Sequence, residues 1–168
     1  MKEAKPFTVL SQLTSQVSKM FIQKANINDA GEILSLQKLA YKSEAKLHDD
    51  FQIPPLVETL DELKAKFKTH FFLKATTEGK IIGSVRVLQK DNTCNVGRLM
   101  VHPDFQNRGI ATKLLLEIER TFSCDRFELF TGEKSIKNIR LYEKLGYKRF
   151  KIETPAANVT LVFLEKTH

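Results

Sequence analysis

The sequence predicts an α/β domain with a central mixed, mostly antiparallel sheet of about six to seven strands, a parallel centre and helices on both faces. Three observations carry that expectation. Between residues 70 and 101, "HFFLKAT", "KIIGSVRVLQ" and "TCNVGRLMV" are β-branched runs separated by Glu78-Gly79 and Asp91-Asn92, which reads as an antiparallel meander. A leucine-rich helical pattern and the strand-like "RFELFT" follow, and a strand, helix, strand unit must return parallel. The chain then closes on a helix and two further strands, "YKRFKIE" and "NVTLVFLE".

Taken in order, the elements begin at residue 20. Residues 1–19 are polar and poor in periodicity, so they read as a mobile extension ahead of a single domain over 20–168, with Met20 a candidate start. In "FIQKANINDAGEIL" a short strand precedes Asp29 and Glu32, whose spacing predicts a capping box. The helix it opens runs to about Tyr41, with Ile33, Leu36, Leu39 and Ala40 on one face. Residues 42–59 lose clean periodicity, and Pro54-Pro55 cannot continue a helix because both lack the amide donor and fix φ. Thr59 and Glu62 form a second box, opening a helix lined by Leu60, Leu63 and Phe67. After the strand ending at Val101, Pro103 removes a ladder donor. "QNRGIA" then leads into a helix starting near Gly109, with Ile110, Leu114, Ile118 and Phe122 in one stripe. "SIKNIRLYEKL" is the last helix, stopped by Gly146.

Composition excludes more than it selects. Lys and Arg number 27 against 20 Asp and Glu, giving +7 and a pI near 9.4, a balance that favours polyanions, a phosphorylated cofactor included. The basic residues are scattered between apolar ones instead of forming a run, which disfavours a nucleic-acid surface. No apolar run approaches the roughly 20 residues of a membrane helix, so no membrane partner is expected. The first segment lacks the continuous apolar stretch of a secretory signal. Cys94 and Cys124, in no CxxC arrangement, suggest small buried residues rather than a disulfide framework or zinc site, and a reducing cytoplasm as the location. His48, His70 and His102 show no metal-ligand spacing, so no metal is expected. A GxxxxGK[ST] loop and a GxGxxG fingerprint are both absent.

The loop in "VHPDFQNRGIATKLL" is the chief functional candidate. The first amides of its helix, about Arg108 to Thr112, lack intrahelical partners, carry the positive end of the dipole, and can be approached closely at Gly109. Such a site fits a phosphate or pyrophosphate. An ordinary strand-to-helix turn relieved by Gly109 accounts for the same residues equally well on physics alone.

That stretch resembles the acyl-CoA-binding motif of the GNAT superfamily of N-acetyltransferases. Gln106, Gly109 and Ala111 meet its pattern of Q or R, two residues, G, one residue, G or A; Ala111 stands where many relatives carry a second glycine. "NIRLYEKLGYKR" is similar to the second signature of the family, with Asn138, Tyr142, Gly146 and Tyr147 in place. The likeness spans residues 21–165 in element order. It implies a GNAT-like fold whose parallel strands splay apart near Val101 and Thr131, with acetyl-CoA as co-substrate. By the same resemblance, Gln106, Asn107, Arg108, Gly109, Ile110 and Ala111 cradle the pyrophosphate, with Thr112 and Lys113 near the phosphates. The pantetheine lies against Leu99, Met100 and Val101. A backbone amide near Met100 is then the oxyanion donor, Tyr142 the acid, and Asn138 a pantetheine contact. The wall facing the acceptor comes from the link after the first helix, with Tyr41, Glu44 and Phe51, whose acidic neighbours suit a cationic amine.

Acyl transfer from a thioester to an amine needs a neutral amine, a stabilised oxyanion and a proton for the thiolate. Tyr142, with an ordinary phenol pKa near 10, can protonate a thiolate whose acid has a pKa near 8.5. For the base, Glu44, Glu128 and Glu133 are open, with Glu44 taken first. Nothing in the motifs resembles a covalent acyl carrier, which leaves direct attack in a ternary complex. The expectation is a cytoplasmic acetyl-CoA-dependent N-acetyltransferase acting on an amine of a small molecule or protein. A non-catalytic acyl-CoA sensor and a basic nucleic-acid-associated protein are the other classes considered; oligomeric state, a homodimer included, is left open.

Overall fold

The computed structural model describes residues 19–168, so the extension predicted over 1–19 falls, apart from Lys19, outside the described residues. The elements are β1 (Met20–Lys24), α1 (Ala30–Ala40), α2 (Lys42–His48), α3 (Pro54–Val57), α4 (Leu60–Lys66), β2 (Phe71–Thr77), β3 (Lys80–Lys90), β4 (Thr93–Val101), α5 (Ile110–Thr121), β5 (Arg126–Gly132), α6 (Ile136–Lys144), β6 (Lys148–Ala156) and β7 (Val159–Thr167). The strands form one sheet in the order β1-β2-β3-β4-β5-β7-β6, antiparallel throughout except for β4 with β5. The single parallel pair is the one joined by the α5 crossover, as a strand, helix, strand connection requires. No helix among the described residues is long and apolar enough to cross a membrane.

Period-two alternation divides the core between the faces. Leu73, Ala75, Val85, Val87 and Val96 pack under Ile110, Leu114, Leu115 and Ile118 of α5. Phe72, Ile81 and Met100 meet Ile33 and Leu36 of α1 and Leu63 of α4 on the other side. The predicted Thr59–Glu62 box forms, with Glu62 N donating to Thr59 Oγ1 at 3.3 Å and Thr59 N to Glu62 Oε2 at 2.7 Å.

Four local expectations are corrected. The box before α1 is Asn26 with Asp29, opening a 3-10 turn that runs into the helix; Asp29 also holds Lys74 Nζ at 2.7 Å, and Glu32 instead accepts Ile81 N. Leu39 is 38% exposed, while the polar Gln37 takes the buried position beside Leu36, because its amide has partners beneath the helix. The region read as irregular contains α2, which continues almost directly from α1 and ends at Asp49 in the left-handed region (φ 49°). Cys94 and Cys124 are both buried but are joined to one another, with α-carbons 6.2 Å apart. Sequence spacing could not reveal that the parallel pairing brings them together. Cysteine usage therefore no longer argues for a reducing compartment.

Two irregularities shape the middle of the sheet. Along β3 and β4, Arg86 faces Gly97 and Ser84 faces Met100, so Arg98 and Leu99 stand opposite Val85 alone. This bulge holds Arg98 at φ 51° and reverses the alternation, sending Val96 to the α5 face and Met100 to the α1 face. Beyond it, β4 and β5 part: residues 93–95 pair with 126–128, after which β5 stays with β7 up to Gly132.

Where α5 crosses the sheet it lies close to Gly83. A β-carbon there would stand 3.0 Å from Ile110 Cγ2, 3.1 Å from Leu114 Cδ1 and 3.3 Å from the Met100 carbonyl. Gly83→Val is therefore expected to overpack this contact and to lower unfolding free energy by about 1–3 kcal/mol in a denaturant titration. An unchanged midpoint would mean that the helix seats more loosely than this geometry requires.

Candidate active site

The loop after β4 is rigidly built. His102 N donates to Ile82 O at 2.8 Å, and His102 Nδ1 accepts Asp104 N at 3.1 Å, capping a 3-10 turn over residues 103–105. The Arg108 guanidinium lies 5.1 Å from the Phe105 ring centroid and donates to Asp104 O at 3.2 Å. Asn107 (φ 62°) and Gly109 (φ 77°) are left-handed, and Gly109 is the N-cap of α5. Lys113 N donates to Gly109 O at 3.0 Å, so the amides of Ile110, Ala111 and Thr112 precede the first intrahelical bond. Nothing lies within 4 Å of the position a Gly109 β-carbon would take, so an anion can reach those amides unobstructed.

The ladder also orients β4. The His102-to-Ile82 bond puts that pair in the hydrogen-bonded phase, and Met100 opposite Ser84, two residues back, shares it. The Met100 amide therefore turns toward β3, while those of Leu99 and Val101 turn toward the gap between β4 and β5.

Across the gap runs one face of the continuous α1 and α2 run, joined through Tyr41 by Tyr41 N to Gln37 O and Ala45 N to Tyr41 O, each 3.0 Å. Gln37, Tyr41, Glu44 and His48 fall at helical spacing along it. Ser135, at the start of α6, donates its hydroxyl to Glu44 Oε2. Asn138 Nδ2 lies 3.4 Å from both Glu44 Oε1 and Thr131 Oγ1. His48, 7% exposed, places Nε2 3.6 Å from Glu44 Oε2, without a hydrogen-bond partner. A β-carbon on Gly132, at the end of β5, would overlap the His48 ring, so the imidazole seats against bare backbone.

Tyr142, one turn after Asn138, is nearly buried and rests 6.2 Å from the Tyr147 ring. Burial pushes its phenol far above the ordinary value, with Tyr41 and Glu44 adding to the rise. Burial likewise raises Tyr41, against the attraction of Arg98. Both phenols keep their protons at neutral pH. Tyr41, Glu44, Asn138 and Tyr142 thus come together at the gap. Of the other two carboxylates, Glu128 is ion-paired with Arg126, and Glu133 is exposed beyond β5. Phe51 lies in the turn after α2, half-exposed.

Sequence reasoning passed over a buried group beside this cluster. Glu58, 7% exposed, accepts Gln37 Nε2 at 2.7 Å and Arg86 Nη1 at 3.1 Å, with Arg98 Nε at 3.9 Å. Burial alone would raise the Glu58 carboxyl, but the Gln37 hydrogen bond and Arg86 overcome it and hold it below its usual range. The available signals were charged residues in otherwise apolar strands, Arg86 in β3 and Arg98 in β4, and a glutamine on the apolar face of α1. Among the described residues, no group of three or more potential metal ligands comes together.

Comparison with known proteins adds a family. The family model described as "Acetyltransferase (GNAT) family" matches residues 33–147. The UPF0157 protein YqkA of Bacillus subtilis (strain 168) is 28% identical over 130 residues, covering 77% of this chain and 37% of that protein. Acetyltransferase ECA0875 of Pectobacterium atrosepticum is 34% identical over 90 residues, covering 52% of this chain and 64% of that protein. The chain thus spans less than two thirds of either relative. In fold it is similar to the PaiA N-acetyltransferase of Thermoplasma acidophilum, solved in complex with coenzyme A, at a TM-score of 0.74 and 18% identity over 89% of this chain and 99% of that one.

The seat of His48 on Gly132 yields a double-mutant prediction. Gly132→Ala should destabilise the fold by about 1–3 kcal/mol by displacing a packed ring. In a His48→Ala background the same change should cost little, a coupling that thermal or denaturant unfolding of the four proteins reads directly. Additive losses would show that the ring is not held there.

Proposed function

The chain belongs to the acetyltransferase (GNAT) family, and from that premise we propose that it moves the acetyl group of acetyl-CoA onto a primary amine by direct attack in a ternary complex. The observation that carries this reading is the grouping, at the gap between β4 and β5, of a carboxylate held by two donors with a buried, protonated phenol. A general base bound by Asn138 and a general acid one turn further along α6 are thereby brought to one region of the gap.

Several features fit acetyl-CoA. The free amides of Ile110, Ala111 and Thr112 and the open space at Gly109 suit its pyrophosphate, with Gln106, Asn107, Arg108 and Lys113 at the rim. The Leu99 and Val101 amides offer an extended edge to the pantetheine. On the ladder phase we take the oxyanion donor, expected near Met100, to be the neighbouring amide of Leu99 or Val101. When bound, acetyl-CoA supplies the activated acyl group.

Glu44, fixed by Ser135 and Asn138, takes the proton from the acceptor nitrogen as the new carbon–nitrogen bond forms. The backbone donor of β4 steadies the oxygen, and Tyr142 protonates the departing sulfur as the carbon–sulfur bond breaks. Asn138, engaged with Glu44 and Thr131, acts mainly by holding the base; Tyr41 and Phe51 contribute to the acceptor wall. The reaction would take place in the cytoplasm, where acetyl-CoA is available.

Two experiments test this reading. Calorimetric titration should show acetyl-CoA binding to the wild type and none to a folded Gly109→Glu variant, in which bulk and negative charge occupy the cradle. Absence of binding to the wild type sinks the proposal.

The second experiment is a pH profile. Glu44→Gln and Tyr142→Phe should each lower kcat by about 10²–10⁴-fold. An acid needed in its protonated form causes activity to fall at its pKa, and burial raises Tyr142 above the ordinary 10.0. The kcat/KM profile should therefore rise as the acceptor amine deprotonates and show no fall below pH 10. A descending limb near pH 8 would remove Tyr142 from the acid's role.

A further inference from the structure

The buried charges around Glu58 do not balance. Arg86 makes the close pair, with Nη1 at 3.1 Å from Oε1 and 3.5 Å from Oε2, and Gln37 fills Oε2 at 2.7 Å. Arg98, 18% exposed, comes only to 3.9 Å, and its Nε is buried without a hydrogen-bond partner. Two guanidiniums thus share one carboxylate, which leaves one positive charge in a poorly hydrated place, a costly arrangement unless something else offsets it. Tyr41 is close enough to interact with Arg98, yet its phenol stays neutral and supplies no anion.

The position of this excess charge points to its use. Tyr41, at the joint of α1 and α2, is one turn after Gln37, and Glu44 of α2 follows on the same face. The stripe therefore passes from the Arg98 group, at the β4 bulge, over Tyr41 to the carboxylate at the mouth of the gap. The bulge is what turns Arg98 to this face, at the expense of a left-handed φ on a residue with a side chain. Tyr41 thus lies within electrostatic reach of both the cation in excess, Arg98, and the anion, Glu44.

Resting on the acetyltransferase reading, we propose that the acceptor is a zwitterionic amine, an amino acid or amino-acid-like compound. Its nitrogen meets Glu44 and its carboxylate pairs with Arg98. This replaces the cationic amine that the acidic residues of the link had suggested. A polyamine would face Arg98 with like charge, whereas a carboxylate can take the fork-shaped donor that Glu58 leaves unused.

The test compares amino acids with their amides and with polyamines, by acetyl-CoA-dependent thiol release and by calorimetric binding to the CoA-loaded protein. The wild type should favour acids over the matching amides by tenfold or more. Arg98→Gln should lose most of that preference, chiefly through KM for the acids, while Arg98→Lys should keep part of it; circular dichroism checks that both variants fold. Equal or better use of amides or polyamines by the wild type, or an undiminished preference in Arg98→Gln, overturns the proposal. If acetyl-CoA binds but no amine is acetylated, the transferase reading fails, and differential binding of acid and amide still decides whether Arg98 forms a carboxylate site.

Discussion

Strand β4 pairs with β3 along its length but with β5 over only three residues, and the chemistry of the molecule depends on that break. A strand inside a sheet normally satisfies its backbone on both sides, and each buried donor left without a partner costs about 1–3 kcal/mol. Here the Leu99 and Val101 amides look into the gap. The sheet keeps the gap open because β5 is held by β7 up to Gly132 and cannot swing back. At the other end, the Cys94–Cys124 link ties the start of β4 to the segment entering β5, so the strands diverge from a fixed point. The gap is consequently a built feature of the fold with unmet hydrogen-bonding capacity, as a site for an extended, amide-bearing ligand requires.

The bulge at Arg98 acts on the same strand but through side chains. Without it, Val96, Arg98 and Met100 would all face α5. The extra residue sends Met100 into the α1 core and lets Arg98 reach Glu58 on that face. One irregularity thus anchors the strand apolarly and introduces charge beside the gap. The left-handed backbone at Arg98, of order 1–3 kcal/mol in cost, is tolerated because neighbours on both sides hold it.

Local signals in the sequence marked most elements. The Thr59–Glu62 box and the stop at Gly146, which sits at φ 94°, depend on residues a few positions apart, and the structure forms both. The order of strands and helices likewise required a parallel pair around α5. Longer-range relations were not legible. Residues 42–48 lack an apolar stripe of their own, but α2 forms because it extends α1 and can place Glu44 and His48 against Ser135 and Gly132. The hydrogen bond from Ser135 to Glu44 spans 91 positions and that from Gln37 to Glu58 spans 21, and neither has a local signature. The resemblance to a family named Tyr142 and Asn138, whereas Arg98 and Glu58 emerge only when the bulge sets the register.

The net charge of +7 also takes on meaning once it is located. Most basic residues lie on the surface, where solvent and salt screen them, and they say little about function. Two positive centres differ. One is the start of α5, where backbone dipoles rather than side chains present the charge and Gly109 leaves room for close approach. The other is Arg98, shielded from water and incompletely answered by Glu58. The negative centre of the site is Glu44, the carboxylate that Ser135 and Asn138 bind. Opposite charges held at fixed places can order a charged ligand as well as attract it. A phosphate-bearing ligand is drawn to the start of α5, and the zwitterionic acceptor proposed above would answer Arg98 as well as Glu44.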